Sequence, residues 1–214
     1  MSSRAKKAVS AIENCGACLV FPIDNRKEPV SLWSALHPRT KMRWEWDEGG
    51  DNRVAQLWHL RGELSQSGLA VYTKWYRGRA TFFSLPVYRD LLAFFGTPHR
   101  PRPSSGAARD LLNALEDRSP LSTKQLKKAT DLVGRDNERS YTRGLRSLWE
   151  HGWIVAWGEF DDGAFPSLGI GATSLLFEGL WNEARELDPN EARTRLVEKL
   201  GATNPFWKFA LHCR

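Results

Sequence analysis

The stretch that decides the fold is RDNERSYTRGLRSLWEHGWIVAWGEFDDGAF, residues 135–165. On a helical wheel of about 100° per residue, Arg139, Arg143 and Arg146 fall in one narrow arc, and Arg135 extends that row by one turn. The opposite side is apolar and carries Tyr141, Leu145, Leu148 and Trp149. The pattern therefore predicts an amphipathic helix with one basic face.

The flanks of this helix predict its two ends and the next element of the chain. Asp136 or Asn137 is the predicted N-cap, because a short side-chain oxygen accepts the first free backbone N–H groups. His151-Gly152 is the predicted end, since glycine readily adopts the positive φ needed there. Residues 153–160 are rich in aromatic and β-branched residues, and the Asp161-Asp162-Gly163 turn signal then predicts a hairpin. A basic helix with a hairpin behind it has the outline of a recognition helix and its wing.

Two further helices are predicted upstream. Apolar residues at 108, 111, 112 and 115 follow the helical period. Ser122 and Gln125 form a predicted capping box, which opens a second short helix over 123–132. Helix, helix, helix, hairpin is the order of a winged helix-turn-helix.

This order assigns a role to each basic side chain. On the third helix, the residues expected near base edges and phosphates are Arg135, Arg139, Thr142, Arg143 and Arg146. On the second helix, Lys124, Lys127 and Lys128 are expected to meet the DNA backbone. The alternative is that these side chains form an ordinary solvated face, because a surface of one charge is only an electrostatic footprint.

The segment 97–105, TPHRPRPSS, is the predicted boundary between two units. It has three prolines and no large apolar residue, so we expect extended chain there, and it is basic. The predicted organisation is a Trp-rich α+β unit over 1–96, the linker over 97–105, a winged helix over 106–170 and a helical extension over 171–214. The order of elements around 51–95 also suits a degenerate winged helix. The predicted fold class is α+β, mostly helical, with tandem winged-helix-like units and small antiparallel hairpins.

Composition restricts the partners. The chain has 214 residues, 31 Lys+Arg against 25 Asp+Glu, and a formal net charge of +6. This balance favours an anionic partner, and nucleic acid before a membrane surface. No apolar run approaches the length of a spanning helix, and the first residues lack a signal-peptide core, so a cytoplasmic protein without a membrane partner is expected.

The cysteines and histidines predict no metal site and no cofactor. Cys15 and Cys18 form a C-x-x-C pair, which can be a redox dithiol or half of a zinc site. Buried small side chains are the favoured interpretation, because a free cysteine packs as a small hydrophobe. The five histidines show no metal-ligand spacing, and the segment 169–174 lacks the spacing of a dinucleotide-binding loop.

A second candidate site lies in the aromatic part of the first unit. Its residues could stack a flipped base and activate a water: Trp44, Trp46, Asp47, Trp58, Glu63 and Tyr72, with Glu45 and Trp75 as neighbours. The favoured alternative is that the tryptophans pack the core and the acids are solvated, because aromatic residues at strand and helix spacing usually form core.

Several segments together resemble a known family. In the second unit these are AARDLLNALEDRSPLSTKQLKKATDL and YTRGLRSLWEHGWIVAWGEFDDGAF; in the first they are PVSLWSALHP, WEWD and LWHLRGELSQSGLAVYTKWYRGRATFFS. They are similar to the AlkZ/YcaQ-type winged-helix DNA glycosylases and the AlkZ-related proteins, over about residues 30–190. The resemblance implies binding of double-stranded DNA by tandem winged helices, a link to DNA repair and, in the enzymes, excision of alkylated or crosslinked bases.

The resemblance does not supply a catalytic residue. The enzymes carry a Gln-x-Gln or Gln-x-Asp motif that positions the hydrolytic water. Here none of Gln56, Gln66 and Gln125 is followed two residues later by Gln or Asp. Three functions stay open: a DNA-binding protein of winged-helix type, a DNA glycosylase-like enzyme, and a protein-interaction module built from winged-helix units.

Overall fold

The fold is α+β and mostly helical, as predicted, in a computed structural model that describes residues 2–44, 52–163 and 166–214. Helices are Ser3–Cys15 (α1), Leu32–Leu36 (α2), Asn52–Gln66 (α3), Leu85–Phe95 (α4), Gly106–Asp117 (α5), Thr123–Ala129 (α6), Arg135–Glu150 (α7), Thr173–Leu176 (α8), Glu178–Glu186 (α9), Pro189–Leu200 (α10) and Pro205–Cys213 (α11). Strands are Ala17–Leu19 (β1), Val71–Thr73 (β2), Thr81–Phe83 (β3), Leu121–Ser122 (β4), Ile154–Phe160 (β5) and Ser167–Ala172 (β6). No helix among the described residues is both long and apolar enough to cross a membrane.

The strands of the described chain form one antiparallel sheet in the order β1-β3-β2-β5-β6-β4. Its centre is the pairing of β2 with β5, where Tyr72 lies opposite Ala156. Strands from before and after segment 97–105 therefore share this sheet. The buried side chains of both parts also belong to one core cluster, which includes Leu64, Phe82, Leu111 and Leu148.

The segment predicted as a linker is docked on its neighbours. Thr97–His99 is a turn of 3-10 helix, so the expectation of extended chain is wrong for these three residues. Thr97 is buried, and its hydroxyl donates a 2.6 Å hydrogen bond to the carbonyl of His151. Arg102 forms a 2.8 Å ion pair with Glu116 on α5. The division into units stays a prediction.

The predicted helix, helix, helix, hairpin order is present in α5, α6, α7 and the β5–β6 pair. The capping box is confirmed: the Ser122 hydroxyl accepts from the Gln125 amide at 3.0 Å, and the Gln125 side chain accepts from the Ser122 amide at 2.9 Å. Gly152 lies just after the end of α7 with φ of +72°, as predicted. A Cβ there would also lie 2.7 Å from Leu92 Cδ2, so space and backbone conformation both require glycine.

The predicted N-cap of α7 is wrong. The helix begins at Arg135, and Gly134, with φ of +90°, precedes it. Asn137 instead donates its side-chain amide to the carbonyls of Val133 and Asp131, at 3.0 and 3.3 Å. Asp136 lies inside the first turn, where a carboxylate interacts favourably with the helix dipole.

Candidate nucleic-acid interface

The basic face of α7 is fully presented to solvent. The side chains of Arg135, Arg139, Arg143 and Arg146 are all exposed. None of the four forms a hydrogen bond or an ion pair with another residue in the described part of the chain. Their guanidinium groups are therefore available to an external anion. Thr142, on the edge of the same face, is exposed too.

The opposite face of α7 fixes the helix to the protein. Tyr141, Gly144, Leu148 and Trp149 are buried, as the wheel predicts for the aromatic and leucine positions among them. Gly144 allows close contact with α5, because a Cβ at this position would lie 3.0 Å from the Leu111 side chain and 3.2 Å from a backbone atom of α5. The arginine row is thus carried on a helix that cannot rotate without breaking this contact.

The three lysines of α6 differ in their surroundings. Lys127 forms a 2.5 Å ion pair with Glu138, and its ammonium lies 4.6 Å from the centre of the Tyr141 ring. Lys124 donates a 2.9 Å hydrogen bond to the carbonyl of Asp162 in the hairpin turn. Lys128 is exposed and has no such partner among the described residues. Of the three, Lys128 is the one with no hydrogen bond or ion pair among the described residues.

The β5–β6 hairpin is acidic where its turn is described. Asp162 accepts a hydrogen bond from the Ser122 hydroxyl, and this bond, followed by one from Ser167, lowers the pKa of its carboxyl. Asp161 next to it is exposed. Two carboxylates repel phosphate, so the cationic surface is that of α7 and not that of the described part of the hairpin turn.

A cleft of about 210 Å³ lies beside the C-terminal half of α7. Thr142 and Arg146 line it from α7, and Lys74 and Gly78 line it from the connection between β2 and β3. Lys74 is not among the residues predicted from the sequence to lie near α7. The signal that points to it is the local concentration of cations in KWYRGR, residues 74–79, which span the connection between β2 and β3.

The residues of the second candidate site are only partly brought together. Trp58 and Tyr72 meet around Arg61, whose guanidinium lies 3.7 Å from the centre of the Trp58 ring and donates a 3.1 Å hydrogen bond to the Tyr72 hydroxyl. The nearby carboxylate is Glu159 of β5, which is paired with Arg61. No local pattern predicts this pair, because 98 positions separate its members.

The other predicted pocket residues lie elsewhere. Glu63 is exposed on α3, and Trp44 packs against Phe21 with ring centres 5.4 Å apart. Trp75 is buried in the core. Glu45, Trp46 and Asp47 lie outside the described residues.

Burial sets the chemistry of Tyr72 in this cluster. It raises the pKa of the phenol, and Arg61 opposes that rise through its charge and its hydrogen bond. Arg61 itself is buried, and its Nε has no hydrogen-bond partner among the residues that the structure describes. The Arg61 guanidinium stacks on the Trp58 ring, donates to the Tyr72 hydroxyl and pairs with the Glu159 carboxylate. These contacts connect α3, β2 and β5.

The cysteines do not form a disulfide. Cys15 is partly buried and Cys18 is fully buried, and burial raises the pKa of both thiols. Protonated thiols are poor nucleophiles and poor metal ligands. Within the described ranges, no group of three or more His, Cys, Asp and Glu side chains lies close enough to hold a metal ion.

Comparison with known proteins gives one result. The model of the family described as "AlkZ related" matches residues 3–206, which is nearly the whole chain. Neither the curated proteins nor the solved structures give a match. The match includes α7, the cleft beside it and the Arg61 cluster. Because it covers residues 3–206, the chain belongs to the AlkZ-related family.

Proposed function

We propose that this protein binds double-stranded DNA through a winged helix-turn-helix in which α7 is the recognition helix, and that it does so in DNA repair. Membership of the AlkZ-related family associates the chain with proteins that act on DNA. The observation that carries the proposal is the row of four exposed arginines on α7, each without a partner in the described chain.

The dimensions of α7 suit this role. Its 16 residues give a length of about 24 Å at 1.5 Å per residue. The major groove of B-DNA accepts an α-helix, and arginine can donate to guanine edges or to phosphates there. Arginines that have no internal partner can contact phosphates without breaking an existing ion pair.

The elements around α7 support the same arrangement. The helix α5 packs against its buried face, and the capped helix α6 precedes it. The hairpin of β5 and β6 comes directly after it. We assign α6 to the first helix of the helix-turn-helix, with Lys128 as its phosphate contact, and β5–β6 to the wing.

A binding titration of single variants tests this assignment. We expect Arg143→Ala and Arg146→Ala each to weaken binding of a fluorescent duplex, by about 1–3 kcal/mol if the side chain meets a base edge. The matched control is Arg193→Ala, because Arg193 is an exposed arginine on α10, which packs against α4. Unchanged affinity in both α7 variants, at fixed salt and with an intact fold, would remove this face from the interface.

The exposed face of α7 also bears on a protein-interaction role. Arginine is enriched in protein–protein interfaces, so exposed arginines alone do not separate the two roles. The feature that favours a polyanion as the partner is the row of like charge, in which no arginine has a partner in the described chain.

Base excision is the second candidate function, and the Arg61 cluster is the observation that favours it. Trp58 is 44% exposed there, with Glu159 close by. The test is release of base from an alkylated duplex, repeated with Glu159→Gln. Base release that persists unchanged in this variant would exclude Glu159 as its catalytic carboxylate, and no release from the unaltered protein would contradict the enzymatic role.

A further inference from the structure

The tip of the β2–β3 hairpin separates two clefts. This tip is the 3-10 turn Tyr76–Gly78. On one side lies the cleft shared with α7, which Lys74 and Arg146 line. On the other side lies a cleft of about 420 Å³ shared with α11, which Arg77, Lys208 and His212 line.

The charge of both clefts is mainly positive. Arg77, Lys208 and His212 are exposed, and no described residue that lines the α11 cleft is acidic. In the α7 cleft, Glu150 is the one acidic residue among the described lining residues, against Lys74 and Arg146. The cations of the two clefts, which we call the band, are Arg146 and Lys74 on the α7 side of the hairpin tip and Arg77 and Lys208 on its α11 side.

The hairpin tip is held in place by its aromatic residue. The ring of Tyr76 packs edge-on against Phe206 and Phe209 of α11, with ring centres 4.9 and 5.1 Å apart. Arg77 adopts φ of +51° and lies over the Tyr76 ring, with its guanidinium 5.4 Å from the ring centre. Its position on the band is therefore set by core packing and not by a free loop.

We propose that DNA bound on α7 continues across the hairpin tip onto α11, and that Arg77 and Lys208 form a second phosphate-contact site. This inference rests on the proposed function. From Arg135 to Arg146 the arginine row covers about 16 Å, so the recognition helix alone meets only a short part of a duplex. Lys208 and His212 lie beyond residues 3–206, which the family model matches, whereas Arg77 lies within them. Contacts of this kind position the duplex and carry no sequence information.

The test compares two double variants in a salt series with a 20-base-pair duplex. Arg77→Gln/Lys208→Gln removes one arginine and one lysine from the band. Lys6→Gln/Arg193→Gln removes the same charges from exposed positions on α1 and α10, outside both clefts. Each lost phosphate contact makes the slope of log K against log salt shallower by about 0.9. The slope is therefore expected to be shallower by about 1.8 in the first variant and unchanged in the control. If the first variant unfolds more easily, Lys208→Gln alone is expected to lose about 0.9, because one exposed contact is removed.

The outcomes separate this inference from the proposed function. An unchanged slope in Arg77→Gln/Lys208→Gln, with Arg143→Ala and Arg146→Ala still weakened, overturns the second site and keeps α7 as the interface. Unchanged binding in all of these variants overturns both. If the slope of Arg77→Gln/Lys208→Gln becomes shallower with single-stranded DNA but not with the duplex, the proposal is also overturned. The two clefts would then bind a single strand.

Discussion

The indole Nε1 of Trp75 donates a 3.0 Å hydrogen bond to the carbonyl of Glu150, the last residue of α7. The same ring packs edge-on against Phe209 of α11, with ring centres 4.8 Å apart. One core side chain therefore connects the β2–β3 hairpin, α7 and the last helix. The orientation of the arginine row depends on this residue, which itself lies in the core.

Trp75→Phe is expected to lower the free energy of unfolding. The change keeps an aromatic ring but leaves the Glu150 carbonyl without its donor. The hydrogen bond is partly buried, so we expect a loss of about 1 kcal/mol, at the low end of the range for a buried group. Urea unfolding measures the loss. The matched control is Trp207→Phe, because Trp207 is buried but donates no side-chain hydrogen bond within the described chain. Equal losses in the two variants would contradict the role of the hydrogen bond.

Gly144→Val is expected to destabilise the contact between α5 and α7. A Cβ at this position lies within 3.3 Å of two backbone atoms of α5, and such overpacking costs about 1–3 kcal/mol. Gly62→Val in α3 is the matched control, since a Cβ there would have no described neighbour within 4 Å apart from its chain neighbours and the backbone of its own helix. The control is expected to be neutral or slightly stabilising, because valine is a better helix former than glycine. Similar thermal unfolding of both variants would show that the helices can separate without loss.

Glu159→Gln is expected to destabilise the protein because it leaves the guanidinium of Arg61 buried without its counter-charge. The side chain of Arg61 is only 6% exposed, but that of Glu159 is 27% exposed, so water replaces part of the lost interaction. We expect a loss of about 2 kcal/mol, below the range for a fully buried pair. The double variant Arg61→Met/Glu159→Leu should recover most of it. A double variant that loses as much as the sum of the single ones would contradict a paired role.

Cys18 is expected to resist alkylation in the folded protein. Its thiol is fully buried, and burial raises its pKa, so thiolate is scarce at neutral pH. Burial, followed by repulsion from Glu150, raises the pKa of the Cys213 thiol to about 12, so its reactivity should rise with pH well above pH 8. Mass spectrometry after iodoacetamide treatment, with and without urea, measures each site. Rapid modification of native Cys18 at neutral pH would support a redox or metal role for the C-x-x-C pair.

The local features of the second unit can be predicted from short patterns in the sequence. The wheel of α7 separates its arginines from Tyr141 and Leu148, and the structure shows the same separation. The capping box at Ser122 needs only two residues three positions apart. The N-cap of α7 could not be found in this way. The Asn137 side chain donates a hydrogen bond to the carbonyl of Val133, and the helix begins two residues earlier, at Arg135. The preference of asparagine for the N-cap therefore did not determine where α7 begins.

Contacts between distant segments are not visible in such patterns. Nothing near Tyr72 indicates that β2 pairs with β5, or that Arg61 meets Glu159. No local pattern indicates that Lys74 lies near α7. The neighbouring Trp75 donates a hydrogen bond to the carbonyl of Glu150 at the end of α7, and Lys74 and Arg146 line the same cleft. Periodicity describes one element at a time, whereas a binding surface is made where several elements meet.

The most direct test of DNA binding by α7 is the salt dependence of duplex affinity for the unaltered protein and for a variant with Arg135, Arg139, Arg143 and Arg146 all changed to Gln. Each phosphate neutralised adds about 0.9 to the slope of log K against log salt, so four lost contacts should lower it by about 3.6. A loss of this size, with unchanged thermal unfolding, is the predicted result. Equal slopes and equal affinities for the two proteins would contradict DNA binding by this helix.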